Sequence, residues 1–155
     1  MPGTGERHRL TAAQLAVWRS FTETSEALRV ELASRLTSRS GVSAGDYAVL
    51  LALSEADGHR LRSSALAVEV GWERSRLSHH LGRMEKRGLV HREGSAEDSR
   101  GAEAVMTDAG ASAFRHASAP HLRDIEELFV SVLSEEQLVA VDEITRALRE
   151  RLAEA

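Results

Sequence analysis

Glycines punctuate the middle of this chain so closely that little except short helices and strands fits between them. Gly58, Gly71, Gly88, Gly94 and Gly101 divide residues 58–101 into short segments, and a helix seldom runs through such a break. The segment from about Glu73 to Arg87 has Leu77, Leu81 and Met84 at helical spacing, and Gly88 ends it. Before it, Ser63 or Ser64 is placed to cap a short helix carrying Leu66, Ala67 and Val70, which Gly71 breaks. His59-Arg60-Leu61 has room only for a short extended piece. Leu89–Glu93 and Glu103–Met106 read as two strands joined by the polar, glycine-bounded GSAEDSRG, a hairpin with a charged tip.

Long amphipathic segments flank this middle. Thr11 is placed to cap a helix whose stripe includes Leu15, Trp18, Leu28, Leu32 and Leu36, ended by Gly41. Ser43 with Asp46 forms a capping-box pattern for a helix carrying Tyr47, Leu50, Leu51 and Leu53. Thr107 caps a further long helix, which Pro120 is expected to kink or split. Ser134 with Gln137 repeats the capping box ahead of Leu138, Val141, Ile144, Leu148 and Leu152. The fold class is mainly α with a small β-hairpin wing: a winged helix-turn-helix core at about 44–107, dimerisation helices at about 10–40 and 108–153, and a flexible tail at 1–9. Together 10–155 form one domain. One chain can hardly bury both flanking stripes, so a homodimer is expected.

Charge is divided in the same way. The chain of 155 residues has a net charge of −4, yet His59–Arg92 holds eight Arg or Lys against three Asp or Glu, a local +5 that leaves −9 elsewhere. A basic middle on an acidic scaffold suits a module facing DNA. With the core face fixed on Leu77, Leu81 and Met84, the candidate reading helix turns Ser75, Arg76, Ser78, His79 and Arg83 outward. Arg grips guanine O6 and N7 bidentately, Ser reaches phosphate or base, and His donates or accepts. At the hairpin tip, Arg100 suits the narrow minor groove, and Asp98 can fix its guanidinium.

Several function classes fall away. There is no Cys, which excludes disulfides, thiol catalysis and thiolate metal sites. Metal sensing fits poorly: His116 and His121 lie about 140° apart on a helix, and His79 and His80 diverge. No cofactor motif is present. Gly41-Val-Ser43-Ala-Gly45 matches the nucleophile-elbow pattern but has no strand before it, so Ser43 is read as a helix cap and no enzyme is expected. Without an apolar span or signal region the protein is expected to be cytoplasmic, with no membrane partner. A winged helix that binds only proteins is the competing class, and the polar reading face speaks against it.

The run Arg74-Ser-Arg-Leu-Ser-His-His-Leu-Gly-Arg-Met-Glu-Lys-Arg-Gly-Leu-Val, with Asp98-Ser-Arg100-Gly and Val105-Met-Thr-Asp-Ala-Gly110, resembles the MarR family of transcriptional regulators. The resemblance covers nearly the whole chain and is tightest over Leu61–Gly110. It implies a homodimer on double-stranded DNA at a pseudo-palindromic operator, repression as the commoner mode, and DNA contacts at Ser75, Arg76, Ser78, His79, Arg83, Asp98 and Arg100. It also implies release by a small aromatic or phenolic acid, with Trp18 and Tyr47 as pocket walls and Arg92 as a carboxylate holder. A regulator that needs no ligand is the alternative. The chain departs from the family in having Gly82 inside the reading helix and His79 where Arg is frequent; the second bears on the operator sequence.

Overall fold

A computed structural model describes residues 9–94 and 101–155. Thr11 caps helix α1, Ala12–Ser40, in a full capping box: its Oγ1 accepts from the Gln14 N–H, and Gln14 Oε1 accepts from the Thr11 N–H. Gly41, at φ 71°, closes α1 in the left-handed conformation that favours glycine. Ser43 and Asp46 form the second box and open α2, Ala44–Glu55. Strand β1, Arg60–Arg62, follows, then α3, Ser63–Val70, and α4, Arg74–Lys86. Strands β2, Val90–Glu93, and β3, Glu103–Met106, complete an antiparallel sheet in the order β1-β3-β2, with Leu61 and Arg92 opposite Ala104 on the two edges of β3. Helix α5, Asp108–Ile125, runs into a π-helical turn at Glu126–Val130, and α6, Glu135–Ala153, ends the chain.

The core lies where α2, α3, α4 and the sheet meet. Val49, Leu50, Leu53, Leu66, Leu77, Leu81, Met84 and Val90 are all buried there. This burial anchors α4 by the stripe the sequence predicts, and it is the main force holding that helix in place. Thr107 caps α5 by accepting from the Gly110 N–H, and its hydroxyl also reaches the Gly88 and Leu89 carbonyls, so the end of α4 and the start of α5 share one anchor. Gly110 is required at that point: a β-carbon there would lie 2.0 Å from the Leu89 carbonyl oxygen.

Three expectations need correction. Neither Ser63 nor Ser64 caps α3; Arg62 holds the cap position without a side-chain bond, and the Ser63 N–H donates instead to the Ala102 carbonyl beside β3. Strand β2 starts one residue later than expected, at Val90. Pro120 does not split its helix, since α5 continues through it. Buried Gly110, Ala117 and Asp124 fasten α5 on both sides of the proline, and this packing outweighs one missing backbone bond.

Helix α1 packs chiefly on α5. Arg35 and Arg39 join them through the buried Asp124 carboxylate, at 3.3 and 2.7 Å. The outer half of α1 is another matter: Leu15, Val17, Trp18 and Phe21 are exposed on the single chain. Helix α6 buries no residue, and leaves Val139, Ile144, Leu148 and Leu152 in the open. Among the described residues no helix is long and apolar enough to cross a membrane.

Candidate nucleic-acid interface

Helix α4 has two distinct faces. Leu77, Leu81 and Met84 are buried, while Ser75, Arg76, Ser78, His79 and Arg83 are all exposed, as their spacing predicts. All five belong to one helix, which the core fastens from behind. Lys86 and Arg74 are exposed on the same helix. An open groove of about 480 Å³ covers the turn between α3 and α4, lined by Ser64, Val68, Trp72, Arg74 and Arg76 among others.

Two of the exposed arginines are positioned. The Arg76 guanidinium lies over the Trp72 ring, 4.3 Å from its centroid, where the electron-rich face attracts a cation. Trp72 packs half-buried at the edge of the core. Its ring meets the His80 ring edge to face, at 5.0 Å between centroids. Arg83 donates from Nη2 to His80 Nδ1 at 2.9 Å.

Behind this face sits a buried carboxylate that the sequence reading assigned only to a helix cap. Asp46 is 2% exposed. One of its oxygens accepts from the Ser43 N–H at 3.1 Å and from Arg87 Nη1 at 2.7 Å; the other faces His80 Nε2 at 3.0 Å. Burial works against the charged carboxyl, but Arg87 and the Ser43 N–H outweigh it and hold its pKa below the usual value. Burial, foremost, pushes the His80 pKa down; Asp46 opposes this, and the charges of Arg83 and Arg76 add to it. Position 80 lies only about 60° around the helix from Leu77, a signal that it flanks the buried stripe.

The wing strands are charge-paired. Arg92 donates twice to Glu85, at 3.1 and 3.0 Å, and its N–H donates to the other Glu85 oxygen. The backbone N–H and the guanidinium of Arg92 lower the Glu85 pKa. Arg60 bridges Glu93 on β2 and Glu103 on β3. Asp98 and Arg100 lie outside the described residues.

The three residues expected at a ligand pocket keep separate company. Tyr47 packs on Phe114 and His121, with centroids at 5.2 and 4.8 Å, and its hydroxyl is 3.3 Å from Ser118 Oγ. Arg92 is held by Glu85 on the wing side. The Trp18 side chain is exposed on α1.

The MarR family model matches residues 40–101, from the end of α1 past the start of the wing. The structure of AbsC, a MarR family transcriptional regulator from Streptomyces coelicolor, is 32% identical, covers 96% of this chain and 99% of its own, and superposes with a TM-score of 0.87. This chain belongs to the MarR family of transcriptional regulators. A second MarR family regulator from Streptomyces coelicolor, Sco3205, solved in complex with DNA, is 35% identical with a TM-score of 0.86, over 93% of this chain and 94% of that one. The transcriptional repressor MprA of Escherichia coli is 25% identical over 123 residues, 79% of this chain and 69% of MprA. The winged helix described above is therefore the family's fold.

Proposed function

We propose that this MarR family member is a homodimeric repressor that reads a pseudo-palindromic operator in double-stranded DNA. The observation that carries the reading is the outer face of α4. Five polar side chains, Ser75, Arg76, Ser78, His79 and Arg83, are exposed together on a helix whose opposite face is fixed in the core. A helix of that kind fits the major groove, where Arg reads guanine and Ser and His adapt to either strand. Asp98 and Arg100, between the wing strands in sequence, are the further candidates, with Arg100 suited to the minor groove. The DNA complex of Sco3205, at 35% identity, supports the same use of the fold, and the likeness to MprA supports the repressor sense.

Dimerisation is supported by the apolar residues that α1 and α6 leave exposed. Residues 10–40 and 108–153 supply them, residues 44–107 supply the DNA module, and residues 1–9 are a tail. So many large apolar side chains left exposed on two helices are characteristic of an interface. Release by a small aromatic acid would act through a dimer whose reading helices no longer match the groove spacing. Trp18, Tyr47 and Arg92 are separate candidates for its contact, and a carboxylate at Arg92 would exchange for Glu85.

The test is fluorescence anisotropy with the DNA upstream of the chain's own gene, over a salt series, for wild type, Arg76→Ala and Arg100→Ala. Tight binding of a dimer, steep in salt and weakened by both changes, is expected. Equal affinity for that DNA, for duplexes selected from a random pool, and for random DNA would overturn the reading.

A further inference from the structure

The strongest feature that the fold and family do not already explain is the ring of His80. A single set of contacts fixes its proton. Asp46 is ionised and can only accept, so His80 must donate to it from Nε2. Arg83 can only donate, so His80 must accept from it at Nδ1. One N–H and one lone pair are what neutral imidazole provides, in one tautomer. The site is also shaped for this ring. A β-carbon on Gly45 would lie 2.8 Å from His80 Cε1 and 3.1 Å from Trp72 Cη2. Gly45 therefore clears the space in which His80 meets Trp72 edge to face.

We propose that neutral His80 is a positioning residue for DNA reading: it relays the fixed carboxylate of Asp46 to Arg83 and holds the Arg83 guanidinium in its reading pose. The inference rests on α4 being the reading helix. Free arginine side chains lose much rotamer freedom on docking. Here that loss is met in the folded protein, and the His80 bond uses one of five guanidinium donors, leaving the others for a base. A second proton on Nδ1 would set N–H against N–H and cation against cation. Arg83 would then leave the ring, while the Nε2–H bond to Asp46 remained. The charged groups around the ring are Asp46 on α2 and Arg76, Arg83 and Arg87 beside it on or just past α4; Trp72 faces it from the turn before α4. Three of the four are cations and oppose the second proton, but once it is on Nδ1 the lone pair that accepts from Arg83 is gone, so acid rather than base is what displaces Arg83.

The experiment measures the ratio of dissociation constants, random duplex over a duplex that the protein itself selects from a random-sequence pool. The ratio removes the general gain in phosphate attraction that other histidines provide in acid. Wild type, His80→Gln, His80→Leu and Arg76→Ala are compared at about pH 8 and at the lowest pH at which circular dichroism shows each still folded, well below the ordinary histidine pKa because that of His80 is lowered. A glutamine amide can donate to Asp46 and accept from Arg83, and it does not titrate. We expect the wild-type ratio to fall about tenfold in acid, the size of one good base contact. His80→Gln keeps its ratio at both pH values, and His80→Leu is low at both. The same acid loss in His80→Gln as in wild type, or a wild-type ratio in His80→Leu, overturns the inference. If wild type selects a duplex, Arg76→Ala loses it, and neither pH nor His80 matters, only this inference fails. If wild type selects none, the DNA reading fails and takes this inference with it.

Discussion

Removing the Asp46 carboxylate tests whether the clamp between α2 and α4 holds the DNA module together. Three contacts depend on it. The bond from Arg87 is charge-assisted, but Arg87 is half exposed, so water recovers part of its loss; about 1.5 kcal/mol remains. The cap bond from the Ser43 N–H and the bond from His80 contribute about 1 kcal/mol each. In Asp46→Ala the His80 N–H is also left buried without an acceptor, so the loss is about 3–4 kcal/mol, consistent with breaking other buried ion pairs. For a chain of this size that lowers Tm by about 10 °C. Asp46→Asn keeps the cap acceptor and should lose about half as much. The assay is calorimetry at fixed protein concentration, because a dimer's Tm depends on concentration. The exposed pair Arg146–Asp142, removed by Arg146→Ala, is the control and should leave Tm unchanged within error. A loss under about 1 kcal/mol in Asp46→Ala would refute the reasoning, since it would mean the carboxylate exchanges its partners for water at no cost.

Gly110→Ala should destabilise by about 3 kcal/mol or prevent folding, as its β-carbon meets a backbone carbonyl at 2.0 Å; soluble yield and urea unfolding check this. Gly82→Ala should do the reverse, adding up to about 1 kcal/mol, because a β-carbon there meets only Arg92 Nη2, at an ordinary 3.7 Å. His80 and His121 both have pKa values lowered chiefly by burial, so each favours the folded state while neutral. Stability should therefore be full above about pH 6.5 and decline as pH falls toward their folded values, with Asp46 adding a second decline below the ordinary carboxylate range; a urea series across pH reads both. Ile144→Asp with Leu148→Asp should shift the protein from dimer to monomer in sedimentation, and an unchanged sedimentation coefficient would show that α6 is not in the interface.

Much of the fold was legible because its causes are local. The boxes at Ser43 and Ser134, the cap at Thr107 and the glycine ends of α1 and α3 depend on residues three or four apart. The outer face of α4 was legible for the same reason: fixing Leu77, Leu81 and Met84 inside leaves no choice about where Ser75, Arg76, Ser78, His79 and Arg83 point. His80 was half legible, by its angle to Leu77. Its partner was not. Asp46 reads as a cap residue, which it is, and nothing near it in the chain shows that the same carboxylate meets a ring and a guanidinium.

The sequence by itself determined the period of each helix, most of its ends and the division of charge between a basic module and acidic flanks, since propensity, capping and net charge act over a few residues. Only the tertiary structure decided that α5 runs through Pro120, that Glu85 takes Arg92, and that Gly45 makes room for His80. His80 and Arg87 reach Asp46 across separations of 34 and 41 residues. Such contacts depend on how α2 and α4 pack, and buried hydrophobic area fixes that packing without regard to which polar groups it brings together.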